Sequence, residues 1–165
     1  MEIILKILAP ILFAVVIWAI VKARSDKAEN KLVEEGKIIQ RESNFNEKAE
    51  IFSLTLSDTA SVTEGIKLLP YHTMPTVSMQ ADPERQKFFF SSKAWKAQLM
   101  QTKYLDGNAV YHFNFTNWTT YHGAIPDGQS MNILLTSIER MFLSIDPNTQ
   151  VQTVTLKTKE KTNAF

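Results

Sequence analysis

Cysteine is missing from the chain's 165 residues. That absence excludes disulfides, thiolate nucleophiles, iron–sulfur clusters and every zinc site built on thiolates. Glycine is scarce, at five residues, and no G-x-x-x-x-G-K-[ST] occurs, so a phosphate-cradling loop has no basis. Charge of one sign is also lacking. The 18 Lys and Arg offset 17 Asp and Glu, for a net charge of +1. No overall field therefore points to nucleic acid, and no Lys/Arg cluster is interleaved with aromatics. There is no internal repeat, no low-complexity tract, no G-x-S-x-G elbow and no HExxH. No pair of carboxylates has a spacing suited to general acid–base work. The sequence calls for no metal, no cofactor and no catalytic residue set.

A long apolar run is present at the start. Ile3 to Val21 is interrupted only by Lys6. About 20 apolar residues cross a hydrocarbon core of roughly 30 Å as a helix, so residues 1–21 read as a single-pass membrane anchor. Lys6 can snorkel near one end, and the Trp18 indole suits the interface near the other. A cleaved signal peptide fits less well, because Val21-Lys22-Ala23 is a poor cleavage site and only Glu2 and Lys6 supply charge at the start. Lys22, Arg24, Lys27 and Lys31 follow the run, which by the positive-inside rule places the remainder in the cytoplasm. Residues 22–45 alternate in charge and carry a weak helical stripe at Ala28, Leu32 and Ile39, with Gly36 as a weak point. They read as a charged juxtamembrane helix or linker.

The pattern changes in residues 46–158. Phe52, Leu54 and Leu56 alternate as in a half-buried strand. Ser61-x-x-Glu64 matches a capping box, and Val62, Ile66 and Leu69 give a short amphipathic helix. Pro70 to Pro75 is a loop. Val77 and Met79 alternate, Asp82-Pro83-Glu84 turns, and Lys87 to Ser91 returns as a strand. Asp106-Gly107 predicts a hairpin of 94–104 with 109–121. Asp127-Gly128 opens a helix whose apolar face is Met131, Leu134, Leu135, Ile138, Phe142 and Ile145, and Asp146-Pro147-Asn148 stops it. Gln150 to Thr158 is a last strand rich in Val and Thr. Residues 159–165 form a fraying tail. The expected fold is α+β, with about five mostly antiparallel strands, two helices on one face and the order β-α-β-β-β-α-β.

The stretch YHFNFTNWTTYH, residues 111–122, gathers aromatic and histidine side chains. Phe113 and Phe115 share a strand face that packs under the helices. A regular strand puts Trp118 and His122 with His112 on the opposite face, where they make a binding platform. A bulge near Asn117 reverses the parity and buries Trp118. Burying an indole outweighs a minor strand irregularity, which favours the bulge. His112 and His122 are about 33 Å apart along an extended strand, so they share no ion. Tyr71 and His72, together with His112 and Tyr121, are the polar groups available to a pocket between sheet and helices.

The functional expectation is a membrane-anchored binding module without catalysis, with a protein partner and no nucleic-acid partner. A small-molecule binder or enzyme using the pocket residues is the first alternative. A structural subunit of a membrane assembly is the second.

Overall fold

In a computed structural model, residues 2–42, 44–55, 58–105, 108–121, 125–156 and 162–163 are described. Residues 2–11, 21, 25, 104–105 and 162–163 are described by their backbone alone. The chain divides into two compact units, Met1–Ile38 and Ile39–Phe165.

The first unit is helix α1 (Glu2–Glu34) and its cap. The helix stops at Gly36, whose φ of 66° is left-handed and costs a residue without Cβ little. Lys37 N–H donates to Leu32 O at 2.8 Å and Gly36 N–H to Val33 O at 2.9 Å, the paired bonds of a Schellman cap. The Lys31–Glu35 pair, four residues apart, adds a weak surface contact at 3.7 Å. Leu12, Phe13 and Trp18 are exposed, and Lys22 Nζ lies 5.1 Å from the centre of the Trp18 ring. Among the described residues no helix is long and apolar enough to cross a membrane. The side chains of residues 3–11 and 21, which make up the rest of the apolar run, lie outside that description.

The second unit is a sheet covered on one face. Its elements are β1 (Lys48–Leu54), α2 (Thr59–Lys67), β2 (Ser78–Asp82), β3 (Lys87–Ser91), β4 (Trp95–Leu105), β5 (Asn108–Thr120), α3 (Gly128–Ile145) and β6 (Gln150–Thr155). The spatial order is β2-β3-β4-β5-β1-β6, every neighbour antiparallel. A two-residue β7 (Thr162–Asn163) lies parallel to the end of β5. Four strands, not three, separate the two helices, because both 78–82 and 87–91 pair fully. The β4–β5 hairpin forms as the Asp-Gly signal predicts, and Asp106-Gly107 themselves lie outside the described residues.

Helix α2 starts earlier than the Ser61-x-x-Glu64 box implies. Asp58 is its N-cap, accepting from Ser61 N–H at 3.0 Å and from the Ser61 hydroxyl. Helix α3 opens at Asp127 and ends at Asp146, as the sequence predicts. Gly65 lets α2 approach α3, since a Cβ there would sit 2.7 Å from Met141 Cγ. Under the helices, Phe52 stacks on Phe142 at 4.6 Å, and Tyr111 and Phe142 lie 5.1 Å apart. Trp95 donates from Nε1 to Ser130 Oγ at 3.1 Å, which ties β4 to the start of α3.

The parity of β5 breaks once. Ala97 faces Phe115 while Lys96 faces Asn117, so Thr116 is an extra residue. Thr116 and Asn117 are both exposed, and Trp118 returns to the core at 5% exposure.

Candidate functional site

Strand registers place a continuous set of side chains on the face away from α2 and α3. One row runs Gln80, Phe89, Gln98, Asn114, Ala49, Val154. The next runs Asp82, Lys87, Met100, His112, Ile51, Gln152. The alternation that buries Phe88 and Phe90 sends Phe89 outward, where it is 44% exposed. Gln98 Nε2 donates to Asn114 Oδ1 at 3.1 Å, and Asn114 Nδ2 donates to Phe115 O at 3.2 Å. These bonds fix the Gln98 and Asn114 amides in the row next to Phe89. Lys87, Lys96 and Lys103 lie on this face by register, against one acid among the described strand residues, Asp82. The face therefore joins an exposed aromatic, a firm amide row and a cationic lean.

A second polar cluster lies on the covered face. Glu50 occupies a core-facing position of β1 and is buried. Arg41 meets it there: Nη1 donates to Glu50 Oε1 at 2.8 Å, Nη2 to Glu139 Oε2 at 2.6 Å and Nε to Asn132 Oδ1 at 3.2 Å. Asn132 Nδ2 donates to Ile39 O at 3.0 Å, and Ile39 N–H donates to Thr136 Oγ1 at 3.1 Å. The segment at Ile39–Arg41 is thus stitched along α3. Burial pushes the Glu50 carboxyl above its ordinary range, outweighing the opposing pull of Arg41. The second unit starts at Ile39, upstream of residue 46, for this reason: Arg41 belongs to the fold and not to a solvated spacer.

Of the six side chains singled out in the sequence, the five that are described do not converge. Trp118 is buried beneath the helices, and its Nε1 has no acceptor among the described residues. His112 is half-buried at the centre of the open face, between Met100 and Ile51. Tyr121 is exposed beyond the end of β5. His122 lies outside the described residues. Tyr71 and His72 are in the turn after α2, on the covered side. Tyr71 donates its hydroxyl to Ile66 O at 2.9 Å, and burial lifts its pKa to about 12, so it holds its proton at neutral pH.

A groove of 370 Å³ between α2 and α3 is lined by Gly65, Leu69, Pro70, Met141 and Ile145 among others. A smaller one of 230 Å³ lies beside Thr73, Thr76 and Asp127. None of the five described residues lines either groove. Among the described residues no cluster of three or more His, Asp or Glu could hold a metal ion.

Sequence reasoning missed Phe89 and Arg41. The Phe88-Phe89-Phe90 run carried the signal for the first, since a strand cannot bury three consecutive side chains on one covered face. Nothing local marks Arg41, whose partners are 9, 91 and 98 residues away. No protein-family model matches the chain, and no curated protein shows significant similarity to it.

Proposed function

We propose that this protein is a membrane-tethered protein-interaction module, with the open sheet face as its contact surface and no catalytic role. The observation that carries the reading is Phe89, an exposed aromatic on the strand next to the β2 edge, flanked by Gln80 and Gln98 in the open-face row. Single aromatic anchors in firm polar surroundings are where binding energy concentrates. The lysines on the same face select a partner segment bearing an apolar side chain and carboxylates, which raises on-rate and specificity. The tether in this reading is the apolar run Ile3–Val21, on the leading part of α1, with the second unit in the cytoplasm. The length and hydrophobicity of that run and the lysines after it support this placement.

The test is quantitative co-purification from crosslinked membranes with the full chain and its Phe89→Asp and Lys96→Glu variants. Lys96 is exposed and Phe89 about half so, and strand preferences span about 1 kcal/mol, so neither variant should lose more than about that. A partner captured by the wild type should be lost with Phe89→Asp and weakened with Lys96→Glu. An unchanged set of captured proteins for both variants would remove the open face from consideration.

A further inference from the structure

The two edges of the sheet differ. Edge strand β2 ends in a charge, Asp82, and runs directly into Pro83, Glu84 and Arg85. Those residues blunt an edge against pairing with other strands. Edge strand β6 is QVQTVT, with neither charge nor proline. All of its residues are exposed except Val151, which is half-buried, and Val154 on the open face is 38% exposed. No described strand pairs with its outer side.

The ladder fixes which backbone groups are free. Leu156 N–H donates to Glu47 O at 3.0 Å. Antiparallel residues alternate between bonding a given neighbour and facing away from it. Val154, Gln152 and Gln150 therefore bond towards β1, while the N–H and C=O groups of Val151, Thr153 and Thr155 point outward.

We propose that this edge pairs with the same edge of a second copy of the chain, joining two sheets into one. A two-fold centred on Thr153 places Thr153 opposite Thr153 of the second copy, Val151 opposite its Thr155 and Gln152 opposite its Val154. Every outward backbone group then finds a partner. Two-fold pairing sets each strand against its own charges, and like charges opposite each other are destabilising. A strand without charge escapes that penalty, which selects a second copy over a charged foreign strand. The Thr–Thr and Val–Thr pairs are of the kind that stabilise cross-strand contacts. The pairing needs neither the anchor nor the open-face partner.

The absence of cysteine makes the test clean. Thr153→Cys is introduced into the full chain and treated with a short bismaleimide, and products are separated under denaturing conditions. A covalent dimer is expected from Thr153→Cys and not from Gln80→Cys, in the middle of the β2 edge. Adding Thr155→Pro removes an outward N–H without touching the β1 ladder. It should lower the dimer yield about tenfold or more, the scale of two net hydrogen bonds lost across the two-fold. Thr155→Lys, which charges the edge without constraining the backbone, should act in the same direction if the proline variant unfolds. A Thr153→Cys chain that stays monomeric overturns the proposal. So does equal crosslinking at Gln80→Cys, or a yield unmoved by both Thr155 variants in folded protein.

Discussion

Arg41 divides one guanidinium between two carboxylates, with side-chain exposures of 11% for Arg41, 7% for Glu50 and 18% for Glu139. Removing it leaves both acids facing each other without a counter-charge. Arg41→Ala should therefore cost about 3–5 kcal/mol, the usual penalty for stripping a buried pair of one partner. Chemical denaturation of the full chain measures it. Glu50 also predicts a pH dependence. Its folded pKa is raised, so over a window the folded state holds a proton that the unfolded chain has released. Stability from this group is complete below the unfolded value of 4.5 and is lost as pH rises through the folded value. The wild type should lose denaturation midpoint relative to Glu50→Gln as pH increases from about 4 to 7. A difference that stays flat, or grows with pH, would show that Arg41 dominates burial.

Elements were legible where their cause is local. The β4–β5 hairpin follows from Asp106-Gly107, and α3 follows from its six apolar positions and the Asp146-Pro147 stop. The extra strand pairing and the early start of α2 were harder, since tertiary pairing and a cap at Asp58 decided them. The α2–α3 crossing rests on Gly65, which reads in the sequence only as a weak helix residue. Gly65→Ala gains up to about 1 kcal/mol of helix propensity but forces Met141 aside, and overpacking costs about 1–3 kcal/mol. A net loss in thermal midpoint is expected, and because both residues share one contact, Gly65→Ala with Met141→Ala should lose less than the sum of the two single losses. Trp118 tests the core of β5 in the same way. Trp118→Ala should cost about 3–5 kcal/mol. Trp118→Phe should cost markedly less, because it also removes an indole N–H that lacks an acceptor among the described residues.

The whole molecule was the least legible in sequence. Composition excluded chemistries but named no partner, and Arg41 joined the fold through contacts nearly a hundred residues away. The candidate site was half visible. His112 was placed on the open face, whereas Phe89 was hidden in a run that reads as core. Topology is the decisive property at this scale. In the full chain carrying Lys93→Cys, an exposed position, a membrane-impermeant maleimide should label only after cell lysis. Labelling of intact cells would put the second unit outside and reverse the proposed orientation.

The extra residue at Thr116 makes β5 unequal in its tolerance of length change. Losing the codon for Thr116 would leave Phe115, Asn117 and Trp118 in plain alternation, with the indole still inward and the ladder to β4 simplified. Gaining a codon beside it would also restore alternation, but a regular ladder would then carry Trp118 two positions past its partner Trp95, or leave two residues unpaired to keep that partner. Drift in length at this point of the gene is therefore expected to run towards shortening.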